Sequence, residues 1–262
     1  MALIRPRAPF AAKFATVIAF LLLYIPLFTL VFYSFRTQTT GNSETAGWTF
    51  EWYRRIFNNE AAMKALGMSL WVGLWCTVGS TLLGSSAALA LDRYSFRGRN
   101  LIDAMIYVPL ILPEIVLGLS LLIWFVLLRI TLGSFSIILA HITFSVSYVI
   151  ITVKSRLQNF DRTLEEAARD LGASPRQTFW KVTFPLIWPG IMSGALMAFT
   201  LSFDDFLITF FTAGVGSDTL PLKIYSMIKF GVTPEINALS TLLLGATLIL
   251  VAVFFRAEAP ES

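Results

Sequence analysis

DRTLEEAARDLGASPRQTFWKVTFP, residues 161–185, is the longest polar interruption in the second half of a chain that is otherwise mostly apolar. Leu164, Ala167, Ala168 and Leu171 recur at i, i+3, i+4 and i+7, the spacing that places side chains on one face of a helix. Thr163 with Glu166 three residues later has the form of a capping box that starts this helix. Gly172 is suited to the left-handed residue that ends it. Ser174 and Pro175 then restart a helix as N-cap and first residue, with Gln177 in the second capping-box position. The prediction is two short helices about a tight turn, with a shallow alanine-lined ridge that suits a groove on another protein. A helix–turn–helix with Arg176, Gln177 and Lys181 on its second helix also has the outline of a DNA-binding motif. The flanks decide between the two. Residues 130–153 carry no Asp, Glu, Lys or Arg, and residues 182–203 carry no charge at all. Each run reaches the roughly 20 apolar residues that span a bilayer. A recognition helix pinned between two such spans cannot enter a major groove, so no nucleic-acid partner is expected. A loop that packs only on its own helices stays open as the plainer alternative.

Outward from this loop the chain reads as membrane throughout. Only 14% of its 262 residues are charged, against about 25% in soluble domains, and its mean hydropathy is +0.72. We expect an all-α integral membrane fold, a single transmembrane domain over 1–262, with six spans at about 14–35, 65–91, 104–128, 130–153, 186–203 and 236–255. The first apolar run is too long for the ~7–15-residue core of a signal peptide and is read as an uncleaved span. Of the Lys and Arg residues, thirteen fall in the N-terminus, 92–103, 154–185 and the C-terminus, and seven on the other side. The positive-inside rule therefore puts both termini and the 154–185 loop in the cytoplasm.

Catalytic and metal signatures are missing from the sequence. It has one Cys (Cys76) and one His (His141), which leaves no disulfide framework and no multi-Cys or His-pair metal site. There is no phosphate-binding G-x-x-x-x-G-K-[ST] loop and no G-x-S-x-G elbow. Any nucleotide that drives this chain must be bound by another subunit. Cys76 reads as packing and His141 as a hydrogen-bonded core residue.

Three residues inside or beside the spans are candidates for a solute path. Glu114 falls mid-way along the third run, directly after Pro113, at a depth where an acid is expensive and usually faces a partner or a water-filled pathway. The alternative is a Glu paired with a Lys or Arg of a neighbouring subunit. Asp204 and Asp205 end the fifth run; helix residues one apart diverge by about 100°, so one should look inward and the other cap the next segment. Asp204 is the choice for the pathway, unless both merely mark the end of the span. Trp52, with Tyr53, is either an interfacial anchor or part of an aromatic wall for an organic cation.

Glu166-Ala167-Ala168, then Gly172, then Val182 and Phe184-Pro185 resemble the EAA loop of type I ABC-importer permeases, with Val for Ile and Phe for Leu. The segments YIPLFTLVFYSF (24–35), RYSFRGR (93–99), LPEIVLGLSLL (112–122), LSFDDF (201–206) and LPLKIYSMIKFGVTPEINAL (220–239) extend the resemblance along the chain, toward the smaller second permease of the spermidine/putrescine branch. The resemblance implies that Glu166, Ala167, Ala168, Gly172 and Pro185 form the coupling loop seated in a cytoplasmic ATPase. It also implies a homologous second permease, a dimeric ATPase that holds ATP-Mg, a periplasmic substrate-binding protein, and a bacterial inner-membrane location. No cofactor is then expected on this chain. Glu114 stands where the family often has Asp, which keeps the charge and lengthens the reach. Related branches carry opines, aminobutyrate or phosphonates, so a solute of that kind remains an alternative, as does a membrane scaffold or regulator that transports nothing.

Overall fold

The computed structural model describes residues 10–37, 47–158, 160–229, 231 and 233–258. The basic residues Arg5 and Arg7 and the last four residues lie outside the described residues. Twelve α-helices are present among those described: α1 (Phe10–Ser34), α2 (Glu51–Asn58), α3 (Glu60–Arg93), α4 (Arg99–Ile111), α5 (Glu114–Leu127), α6 (Ser134–Gln158), α7 (Thr163–Asp170), α8 (Pro175–Thr178), α9 (Phe184–Asp204), α10 (Leu207–Thr212), α11 (Leu220–Ile228) and α12 (Pro234–Glu258). One antiparallel bridge, Arg36 with Trp48, is the extended pairing among the described residues.

By length and composition four helical stretches can cross a membrane: Lys13–Ser34, Glu60–Arg93, Ser134–Gln158 and Pro175–Asp204. The run expected as one span over 104–128 consists of two helices, α4 and α5, bent by 109° about Leu112 and Pro113. Both residues take extended backbone angles, and the proline supplies no N–H to continue the ladder of α4. Counted together the pair makes a fifth apolar span. In the region expected as the sixth, the apolar stretch Pro234–Ile249 is shorter than the others.

The chain divides into two compact units, Met1–Glu60 with Ser226–Gly245, and Ala61–Tyr225 with Ala246–Ser262. In the first, the end of α1 is tied to the start of α2. Ser34 Oγ and Tyr53 OH lie 2.7 Å apart, and Trp52 Nε1 donates to the Arg36 carbonyl at 2.8 Å.

The second unit is built on close helix approach. Lipid tails are as apolar as leucine, so helices associate there by fitting small residues against large ones rather than by escaping water. Val149 of α6 is fully buried. A Cβ placed on Gly84 of α3 would lie 2.7 Å from Val149 Cβ, and one on Gly194 of α9 would lie 3.2 Å from Val149 Cγ1. Around this point Ala88, Leu91, Val153, Ile187 and Ala198 complete a core shared by the three helices. A second cluster, Phe125, Ala140, Phe144 and Ile208, packs α5 and α10 against α6.

The polar ends of these helices are joined by ion pairs. Lys154 Nζ meets Asp103 at 2.5 Å, Arg162 meets Asp92 at 3.0 Å, and Arg93 meets Glu165. The loops 92–103 and 154–185, assigned to one side from their basic residues, thus meet at one end of this unit.

The packing makes a prediction. Gly84→Ala drives a methyl into Val149 and should destabilise the protein by about 1–3 kcal/mol, read as a lower thermal unfolding midpoint in detergent. Gly67→Ala on the same helix meets nothing within 4 Å. It should leave the midpoint unchanged or raise it, since alanine favours helix by up to ~1 kcal/mol.

Candidate functional site

The 161–185 loop folds with one correction to its expected local structure. α7 begins at Thr163, but no capping box forms between Thr163 and Glu166. The Asp161 carboxylate instead accepts from the Thr163 N–H at 3.0 Å. Asp161 is the better acceptor because it carries a charge at the N-terminus of α7, and its hydrogen bonds from Thr163 lower its pKa. The end of α7 is as expected. Gly172 has φ +86, the Gly172 N–H donates to the Arg169 carbonyl at 2.8 Å, and the Ala173 N–H donates to the Ala168 carbonyl at 3.0 Å. Together these form the two-bond glycine stop. The restart is also as expected: Ser174 and Gln177 cap each other's backbone, with Pro175 as first residue of α8.

The polarity of α7 is inverted relative to a helix of a soluble protein. Leu164 is 47% exposed and Leu171 90% exposed, with Ala167 also outward. The buried residue is an acid, Glu165. Arg162, Glu165 and Arg169 recur at i, i+3 and i+7, and this charged stripe lines the polar cleft against Asp92 and Arg93 at the end of α3. Glu165 Oε1 accepts from both Arg93 Nη2 and Thr183 Oγ1. Burial pushes the Glu165 carboxyl up, but the hydrogen bonds from Thr183 and Arg93 and the charges of Arg93 and Arg169 outweigh it. They hold it below the usual carboxylate range. Sequence reading passed over Glu165 in favour of Glu166, which is exposed; the charged i, i+3, i+7 stripe was the signal available.

Thr183 reaches Glu165 because the turn before α9 is widened. Phe179–Thr183 is π-helical. Thr178 and Thr183, five residues apart, are both buried, a spacing that shares a face in the wider turn and not in a regular α-helix. Pro185, at the start of α9, is exposed.

A second place of interest lies where two helices break. α4 gives way to α5 at Leu112-Pro113, and α9 to α10 at Asp205-Phe206. Between these breaks is a cavity of about 290 Å³, lined by Glu114, Tyr148, Thr200, Asp204, Asp205 and Phe206 among others. Glu114 is the first residue of α5, where the helix dipole favours its charge. It is exposed and makes no hydrogen bond or ion pair among the described residues. Asp204 is exposed and accepts from Thr247 Oγ1 at 3.3 Å.

The neighbouring Asp205 is buried and committed. It accepts from the N–H groups of Ile208 and Thr209 at 3.3 and 2.8 Å, and from Thr209 Oγ1 at 2.9 Å, so it caps α10 as one of the two aspartates was expected to. His141 Nε2 lies 3.2 Å from the same carboxylate, and its Nδ1 is 2.7 Å from Ser202 Oγ. His141 is a fully buried, hydrogen-bonded core residue, and Cys76 is buried beside Ser80 and Ser145.

The structure therefore brings Glu114 and Asp204 to one cavity. Trp52 belongs to the first unit, where Arg55 stacks over its ring at 5.0 Å.

Residues 80–257 match the model of the binding-protein-dependent transport system inner membrane component. The chain belongs to this family. It is thus a transport permease of the inner membrane rather than an enzyme. It is 42% identical over 253 residues to the putrescine transport system permease protein PotI of Escherichia coli, covering 93% of this chain and 90% of that one. It is 43% identical to the spermidine/putrescine transport system permease protein PotC of Escherichia coli, covering 87% and 86%. The PotC of Haemophilus influenzae is 41% identical, with coverage of 88% and 90%. Among solved structures, a bacterial ABC transporter that imports the acidic polysaccharide alginate aligns with a TM-score of 0.72 at 17% identity, over 97% of this chain and all of the other. That likeness supports the fold of this permease and not its solute.

The Glu165 contact predicts a pH dependence. A carboxyl held below its ordinary range contributes stability that is complete above that range, at about pH 4.3 for Glu. It is lost as pH falls through the lowered value. Wild-type protein should therefore lose protection of α7 amides in hydrogen exchange as pH falls below that range, and Glu165→Gln should flatten this part of the profile.

Proposed function

We propose that this permease is one subunit of an ATP-driven importer of polyamines, putrescine and spermidine, forming half of the translocation pathway. The observation that carries the reading is the cavity at the two helix breaks, in a chain whose relatives over most of its length transport these amines. A diamine or triamine brings two or three ammonium groups, and burying one without a partner costs several kcal/mol. Glu114 and Asp204 supply carboxylates where Pro113 and Asp205 interrupt the helices. Among the described residues Glu114 has no partner of its own to give up. Trp52 is proposed as an outer contact. Its ring already attracts the Arg55 guanidinium, and a substrate ammonium would compete for the same face.

The chain is read as one permease domain with six spans, α4 and α5 forming the third and α12 the sixth, and with both termini cytoplasmic. The outward face of the 161–185 loop, with Leu164, Glu166, Ala167, Ala168 and Leu171, would seat in a dimeric cytoplasmic ATPase, while Gly172 and Pro185 hold its shape. ATP-Mg would be held there and not on this chain. A homologous second permease would complete the pathway, and a periplasmic binding protein would deliver the solute. ATPase closure on ATP would move the loop and switch the cavity between the two sides of the membrane.

The test is uptake of labelled putrescine and spermidine by cells carrying the full set of partner subunits. Glu114→Gln and Asp204→Asn should each raise the KM for uptake about tenfold or more, as loss of a charge-assisted contact implies. Normal KM and rate in both variants would sink the polyamine reading. Competition by an opine, aminobutyrate or phosphonate, with no effect of polyamines, would favour a different small solute. Loop function is tested separately: Leu171→Asp should release the ATPase from the purified complex.

A further inference from the structure

We infer that Glu165 is the positioning residue that carries movement of the docked loop into two transmembrane helices at once, α3 through Arg93 and α9 through Thr183. The inference rests on the coupling-loop reading above. A loop that only docks would transmit nothing unless its inner face were tied to the helices it must move. α7 has no apolar inner face with which to do this. Its leucines are exposed, and its charged stripe lines the cleft, with Glu165 the one buried member. Within that stripe Arg162 pairs with Asp92 while 64% exposed, the kind of contact that contributes little. Glu165 differs in three ways. Its side chain is only 11% exposed. A single oxygen, Oε1, receives both partners. And those partners belong to separate elements, the last residue of α3 and the last residue of the π-helical turn that leads into α9.

That turn gives the contact its reach. The wide turn keeps Thr178 and Thr183 on the buried side together. From Thr183 the buried face continues through Ile187, Gly190, Ile191 and Gly194 toward α6. A push on Glu165 therefore arrives at the helix face that packs on Val149, and through Arg93 at the helix that carries Gly84 against the same valine. The exposed Glu166 has no such inward partner among the described hydrogen bonds and ion pairs, which leaves it to the docked surface.

The experiment uses the complete importer in proteoliposomes, with binding protein and both permeases, and reads solute moved per ATP hydrolysed. Glu165→Ala and Arg93→Ala should each assemble and lower that ratio about tenfold or more, the loss expected when a part-buried charge-assisted contact is removed. Combining them should add little further loss, because both act through one contact. Arg93→Lys should recover part of the ratio. An unchanged ratio in assembled Glu165→Ala complexes would overturn the inference, and so would full additivity of the two variants. Where Glu165→Ala fails to assemble, Glu165→Gln keeps the shape, loses the charge and is read by the same criteria. Leu171→Asp separates the two claims. If it leaves the ATPase attached, the docking reading itself fails; if it releases the ATPase while the Glu165 variants stay coupled, only the present inference falls.

Discussion

A lipid interior offers no hydrogen bonds, so every backbone N–H and C=O within it must be satisfied by the chain itself. Unbroken helices meet this requirement without help. Broken ones do not, and in this permease the two breaks sit at one cavity. At the first, Leu112 still donates to the Val108 carbonyl while Pro113 needs no acceptor, and the Pro113 carbonyl takes the N–H groups of Val116 and Leu117. At the second, the Asp205 carboxylate satisfies the opening N–H groups of α10, with His141 and Thr209 behind it. The acids that are free of such duties, Glu114 and Asp204, then face the cavity. A polar site in a membrane helix protein arises here from where the helices stop being helices.

The same medium explains the packing. With no gain from moving apolar groups out of lipid, contact between α3, α6 and α9 depends on glycines that let Val149 come close from two sides. It also explains the reversed polarity of α7. The loop lies at the polar ends of the helices, where Arg93, Arg162, Asp92 and Glu165 tie it inward. Its apolar side chains Leu164 and Leu171 are left exposed, where a docked partner would cover them. An exposed Leu171 is costly only while nothing sits on it.

Much of this was legible in the sequence because it depends on neighbours along the chain. Charge-free runs gave the membrane class, since length and composition alone decide whether a helix suits a bilayer. Gly172, Ser174, Pro175 and Gln177 announced the turn, since caps and stops are settled within four or five residues. The register of Glu166-Ala167-Ala168 with Gly172 and Pro185 pointed to the family. The failures have the opposite character. Thr163 looked like a cap because its spacing to Glu166 was right, but a charged acceptor two residues earlier took the N–H. Pro113 marked where the helix of the 104–128 run is interrupted, but neither it nor the continuous apolar composition reports a bend of 109°.

Glu165 and Asp205 mark the boundary. From sequence, one was the less familiar of two adjacent glutamates and the other one of two adjacent aspartates, and only the spacing of Arg162, Glu165 and Arg169 hinted at the first. Their partners lie far along the chain: Arg93 is 72 residues from Glu165, and the nearest His141 nitrogen reaches Asp205 across helices joined by the whole 159–183 loop. Sequence by itself determined which segments are helical, which are apolar and which ends are polar, because those follow from local geometry and solvent preference. Tertiary packing alone decided which carboxylate is spent on structure and which is left exposed at a cavity or a surface, because that depends on what each one meets when the helices come together.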